Sequence, residues 1–184
     1  MKTSSRFWIS NAVSYGMIAA LLVIIVRAAV YLLDVSPTNI SFGMLNFVYN
    51  LIVLSICLYL GAIAWRKKSE TGNLSYIQGL LICISISFVT VFFIHVYDLI
   101  FYTLIAPDYI ANLLEPQLTA ISGNPAIPPM QKLQMMEKMQ KLSSPFYSTG
   151  LNALTSFGIS VIVSLILAIF TVRNRPVVIE NTEN

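Results

Sequence analysis

Apolar residues run almost unbroken through four segments of the chain, at about 12–33, 42–65, 76–106 and 148–172. A helix needs about 20 predominantly apolar residues to cross the hydrocarbon core, so each segment reads as a transmembrane helix. The pattern therefore predicts an all-α fold, a four-helix transmembrane bundle forming one integral membrane domain over residues 1–184. Asp34, Ser36 and Pro37 make a short turn between the first two spans, and Glu70, Thr71, Gly72 and Asn73 favour a turn between the second and third. The third stretch stops at Pro107. It would be roughly 45 Å long against a core of ~30 Å, so it must tilt or project.

One connection, residues 107–146, is long and rich in proline: Pro107, Pro116, Pro125, Pro128, Pro129 and Pro145. Pro129 suits the first turn of a helix running to about Leu142. Leu133, Met135, Met136, Met139 and Leu142 share one side of that helix, and Gln131, Gln134, Glu137, Lys138 and Lys141 take the other. The expected element is an amphipathic helix in the outer loop, lying on the membrane or capping the bundle. Residues 177–184 read as a disordered tail.

Composition agrees with the periodicity. The 184 residues are 57% hydrophobic and 10% charged, where a soluble domain carries about 25% charged residues. Basic residues fall in three groups: Lys2 and Arg6, then Arg66, Lys67 and Lys68, then Arg173 and Arg175. All three lie on one side of a four-span arrangement, which the positive-inside rule places in the cytoplasm together with both termini. They are topology signals rather than a nucleic-acid-binding face. No small-x-small cleavage site follows the first apolar run, so it reads as an uncleaved span. Phe7, Trp8, Trp65, Tyr76 and Tyr147 lie near span ends, as an interfacial belt requires.

A polar group inside hydrocarbon costs roughly 2.5–3.5 kcal/mol if charged, and so faces a partner or a wet cavity. Arg27 interrupts the first span; His95 and Asp98 interrupt the third. On helical wheels Gly16, Ala20, Arg27, Tyr31 and Asp34 share one face of the first span, and Asn46, Asn50, Cys57, Gly61 and Ala64 one face of the second. Ser87, His95, Asp98 and Tyr102 share a face of the third, as do Asn152, Ser156 and Ser160 of the fourth. Small residues at four-residue spacing, Ser156–Ser160–Ser164–Ala168 and Gly79–Cys83–Ser87, let helices approach closely. These faces should meet inside the bundle. The polar members cluster towards the outer side, which predicts an outward-facing pocket with Arg27, Tyr31, Asn46, Asn50, His95, Asp98, Tyr102 and Asn152 as candidate lining, closed below and open to capping by the Met-rich helix.

Arg27 with Asp98 is the expected ion pair. It reads either as an anion-binding pocket or as a clasp pinning the first and third spans. Arg27 snorkelling to headgroups is a further reading, and Asp34, seven residues along the same face, is a competing partner. His95 and Asp98, spaced i, i+3, can touch on one helix face, where the carboxylate either orients the imidazole for proton transfer or metal binding or forms with it a polar cluster at the membrane interface. One His and one Asp fall short of the three protein ligands that zinc prefers. Met130, Met135, Met136 and Met139 could offer thioethers to copper(I) but equally make an adaptable apolar face. Cys57 and Cys83 read as small packing residues at similar depth. No metal site and no cofactor is implied: the chain has no Walker loop, G-x-G-x-x-G, C-x-x-C, H-E-x-x-H or G-x-S-x-G. Nor does the first span carry the deep acidic residue of small four-span multidrug exporters.

The layout resembles a family catalogued as a domain of unknown function, number 4199, found in small four-span bacterial membrane proteins, chiefly of the Bacteroidetes type. The matching stretches are Ser14-Tyr15-Gly16 and Gly72-Asn73-Leu74-Ser75-Tyr76, then Tyr102 with Pro107-Asp108-Tyr109, the Met- and Lys-rich helix over 130–142, and Ser144-Pro145. The resemblance implies architecture and a bacterial inner-membrane location. It brings no activity and no site residues. Two functions then stand open, ahead of an enzyme within the membrane. One is a non-enzymatic accessory or interaction subunit, its partners being the lipid bilayer and a second copy or another membrane protein, with no nucleic acid. The other is a protein that binds or transports a small molecule or ion through the polar pocket.

Overall fold

The computed structural model describes the backbone of residues 2–33, 40–68 and 73–172, and the side chains of 8–33, 44–68 and 73–172. Its helices are α1 (Lys2–Leu32), α2 (Ile40–Lys68), α3 (Tyr76–Ile100), α4 (Tyr109–Gly123), α5 (Pro129–Leu142) and α6 (Pro145–Thr171), with a π-helical turn over Phe101–Ile105 continuing α3. Four of them carry stretches long and apolar enough to cross a membrane: Trp8–Leu32, Met44–Lys68, Tyr76–Ile105 and Pro145–Thr171. The chain is a multi-pass membrane protein, an all-α bundle of four spans. The end of the bundle bearing α4 and α5 is called the loop end, and the opposite one the terminal end. The turn at Asp34–Pro37, the residues Glu70–Gly72, Arg173, Arg175 and the tail 177–184 lie outside the described residues.

Local chemistry sets the boundaries. Ser75 and Gln78 form a capping box: the Ser75 hydroxyl accepts from the Gln78 N–H (3.3 Å), and the Gln78 side-chain oxygen accepts from the Ser75 N–H (3.1 Å). Pro129 and Pro145 open α5 and α6 at their first helical positions, where proline lacks only a hydrogen bond that no residue there could make. For α6 this moves the helix start three residues before the expected 148. At the other end of α3, Pro107 forces Ala106 out of helical geometry (φ −139°, ψ 70°). The last turn widens first, with the Ala106 N–H donating to the Phe101 carbonyl at 2.8 Å.

Small residues fix the closest approaches. Ser160, Ser164 and Ala168 of α6 and Cys83 and Ser87 of α3 are completely buried. The Ser87 and Ser164 hydroxyls meet at 3.3 Å, and a Cβ on Gly79 would sit 2.7 Å from the Thr171 hydroxyl. The two stripes at four-residue spacing do face one another, joining α3 to α6 along the terminal half. Beside them Ala12, Leu58, Ala62, Leu74, Ile82, Cys83 and Ile86 form one apolar cluster, flanked by Trp8 and Trp65. Leu74, the residue before the α3 cap, is fully buried and plugs this end. Ala19, Ala20, Val23, Val53, Cys57 and Ile94 form a second cluster nearer the loop end. Large apolar side chains such as Leu21, Ile56, Phe88 and Ile169 point outward, as hydrocarbon solvent allows.

The long connection differs from expectation. The amphipathic helix has the predicted bounds, but α4 precedes it over residues expected to be irregular. Pro116 lies within α4. Ile110, Leu114 and Ile121, one stripe at helical spacing, are buried and outweigh the proline. The two helices pack on each other, and α5 also touches α6. No residue of α5 is buried.

Candidate functional site

A cavity of about 610 Å³ opens into the bundle at the loop end, between α1, α2, α3 and α6. One side of it, between α1 and α3, is charged. An Arg27 Nη1–H donates to Asp98 Oδ1, joining α1 to α3 across 71 residues of sequence. Asp98 Oδ2 lies 3.1 Å from His95 Nδ1, one turn earlier on the same helix. The separation is that of a hydrogen bond, though the ring N–H points off the line to the oxygen. The Asp98 and His95 side chains are only 6% and 8% exposed, whereas Arg27 is 29% exposed. A guanidinium carries five N–H donors in a planar fork. The Asp98 contact leaves part of that fork facing the cavity.

Two amides from α2, Asn46 and Asn50, lie one helical turn apart on the cavity wall, each with a buried carbonyl oxygen that accepts no hydrogen bond. Asn152, Thr155 and Ser156 line it from α6, which packs beside α2. Thr90 occupies the deep end, its hydroxyl donating to the Ile86 carbonyl at 2.9 Å and lying 3.3 Å from that of Gly16. Beyond it the Ile86–Leu58 cluster fills the bundle.

The mouth is aromatic. Tyr31, Phe101 and Tyr109 meet edge to face, with ring centres 4.9 to 6.2 Å apart. Tyr102 stacks on Tyr109 at 5.9 Å, and Tyr97 on Phe101 at 5.9 Å. The π turn presents Phe101 and Tyr102 to this cluster, and α4 contributes Tyr109 at its first residue. Burial pushes the Tyr109 hydroxyl above the ordinary phenol value, against an opposing pull from Arg27. It stays a neutral donor at physiological pH.

All eight candidate residues from the sequence, Arg27, Tyr31, Asn46, Asn50, His95, Asp98, Tyr102 and Asn152, line this one cavity. Asp34, the competing partner for Arg27, lies outside the described residues. The expected cap is different: no residue of α5 lines the cavity, and Tyr109 of α4 does. The amphipathic helix instead lies against α4 and α6, with Leu133, Met135 and Met136 of its apolar face exposed. Tyr97, Phe101 and Tyr109 were missed as site residues. Tyr97 and Phe101 are spaced i, i+4 beside Asp98, a signal available in the sequence; Tyr109 needed α4 to be recognised. Cys57 and Cys83 are buried free thiols in different clusters. Among the described residues, no three His, Cys, Asp or Glu side chains come together as a metal site.

Residues 14–173 match the family described as protein of unknown function, DUF4199. The chain belongs to the DUF4199 family. The match contains all four cavity-forming helices apart from the start of α1. No curated protein and no solved structure matches the chain.

Proposed function

We propose that this DUF4199 protein is a non-enzymatic binding protein of the bacterial inner membrane, with its termini in the cytoplasm and its cavity opening outward. The observation that supports this reading is the convergence of eight polar and aromatic side chains from four helices on one cavity of about 610 Å³, a size typical of small-molecule sites (roughly 300–1,000 Å³). The orientation follows from Arg66, Lys67 and Lys68 at the last turn of α2, which is at the terminal end. Arg27 offers charged donors, Asn46 and Asn50 offer carbonyl acceptors, and the tyrosines offer hydroxyls. A ligand with an anionic group and hydrogen-bond donors satisfies both sets. Packing of the Leu58–Ile86 cluster below the cavity favours binding over passage.

Thermal unfolding in detergent with and without candidate ligands tests the reading. Asp98→Asn should alter ligand-dependent stabilisation while leaving membrane insertion intact. A ligand response identical in wild type and variant would overturn it.

A second reading rests on α5, which has no buried residue and exposes Met130 and Leu133. On that reading the protein is an accessory subunit that holds another membrane protein, or a second copy, through this helix. A ligand-free oligomer or a defined protein complex on native mass spectrometry, lost when α5 is altered, would favour it.

A further inference from the structure

The small-residue stripes that join α3 to α6 stop at Ser87 and Ser160. Towards the loop end the two helices meet through large aromatics instead, with Phe88 and Phe157 edge to face at 6.2 Å. Outside that contact lies a second hollow of about 450 Å³, walled by Phe88, Phe92, Leu99, Leu154 and Phe157. Gly150 and Ala153 also line it, and a Cβ on Gly150 would meet nothing within 4 Å. All of this lies within two membrane spans, so the hollow faces hydrocarbon.

Val91 and His95 line both this groove and the polar cavity. They form the wall between a site built for a charged, hydrogen-bonding group and a site built for an alkyl chain. His95 itself is tied to the charged group, with its Nδ1 3.1 Å from Asp98 Oδ2, so one side chain bounds both hollows. From Arg27 through Asp98 to His95 and on to the groove, contact is continuous. A ligand held by both hollows needs one charged end and one alkyl end.

Resting on the binding reading above, we propose that the ligand is a membrane lipid with an anionic phosphate head. Its head group occupies the cavity beside Arg27, and one acyl chain leaves between α3 and α6 past His95 into the Gly150 groove. Arg27 takes the phosphate in the part of its fork that Asp98 leaves open, since a guanidinium pairs with two oxygens at once. The amides of Asn46 and Asn50 take head-group hydroxyls. The chain replaces bulk lipid in the groove and gains affinity because its head is tethered.

The experiment is native mass spectrometry of the full chain, reconstituted in phosphatidylglycerol and phosphatidylethanolamine vesicles and extracted in mild detergent. Wild type should keep one phosphatidylglycerol molecule. Gly150→Trp should lower retention about tenfold, the effect of displacing roughly two methylene groups from the groove. Gly158→Trp is the control: it lies on the same helix, also with open space at its Cβ, but lines neither cavity. It should retain lipid like wild type. The double variant Arg27→Gln with Asp98→Asn removes the guanidinium that meets the head group without stranding a buried carboxylate, and should also lose the lipid. If Gly150→Trp fails to fold, Gly150→Leu and Ala153→Leu fill the same groove with less bulk.

Equal retention by the Gly150 and Gly158 variants would overturn the proposal, as would no retained lipid in wild type. A second copy seated in the groove, seen as a dimer that Gly150→Trp abolishes, would overturn it too. Inorganic phosphate or glycerol phosphate that stabilises wild type through Arg27, unaffected by Gly150→Trp, would remove the lipid and leave the cavity as a site for soluble anions. If neither lipid nor soluble anion responds to the Arg27 and Asp98 changes, the binding reading itself fails.

Discussion

Gly16 of α1 lies directly against Val89 of α3: a Cβ on Gly16 would sit 2.7 Å from both the Cβ and Cγ1 of Val89, and 3.0 Å from the Ile86 carbonyl oxygen. Neither obstacle can give way cheaply, one being a β-branched stem and the other backbone. Gly16→Ala should therefore push α1 from α3 and destabilise the bundle by roughly 1–3 kcal/mol. Gly158→Ala, where nothing lies within 4 Å, should be neutral within about 0.5 kcal/mol. Thermal unfolding in one detergent compares them; equal stability of both variants would contradict this packing.

The Arg27–Asp98 pair predicts non-additivity. Removing either partner leaves the other without its counter-charge in a low-dielectric site. Each of Arg27→Ala and Asp98→Ala should cost roughly 1–3 kcal/mol, below the ~3–5 of a fully buried pair because Arg27 is 29% exposed. The double variant should lose less than the sum. A strictly additive cycle would show that the two side chains do not support one another.

Orientation is open to chemical labelling. Cys57 and Cys83 are buried and should stay unreactive in the folded protein. A cysteine at position 67 (Lys67→Cys), in the last turn of α2, should react with an impermeant maleimide only after the cytoplasmic face is exposed. Labelling of intact cells from outside would invert the proposed orientation and turn the cavity mouth to the cytoplasm.

On α5 the Lys141 ammonium lies 2.9 Å from the Glu137 carboxylate and holds it below its usual range. A carboxylate so lowered supports stability above its unfolded value and loses that support as pH falls through its folded value. Both side chains are more than 60% exposed, where solvent screens the pair. Glu137→Gln should therefore leave thermal unfolding unchanged between neutral pH and the carboxylate range. A marked loss would mean that α5 is covered by a partner.

The four spans were legible because hydrocarbon imposes a length and demands that every backbone hydrogen bond be made within the segment. The expense of a polar group in that solvent marked Arg27, His95 and Asp98, and helical periodicity placed Asn46, Asn50 and Asn152 on inward faces. What the Ser75–Gln78 box and the buried stripe Ile110, Leu114, Ile121 offered went unread, the stripe because Pro116 interrupts it. The tertiary structure alone decided that Tyr109 completes the mouth, that α5 docks on α4 and α6 rather than over the cavity, and that His95 stands between a polar and an apolar hollow. These depend on how far one helix is rotated and shifted against another. That offset is set by contacts such as Gly16 on Val89 and Ser87 on Ser164, which join residues far apart in the chain. The local pattern of one segment carries no record of the side chain it will meet.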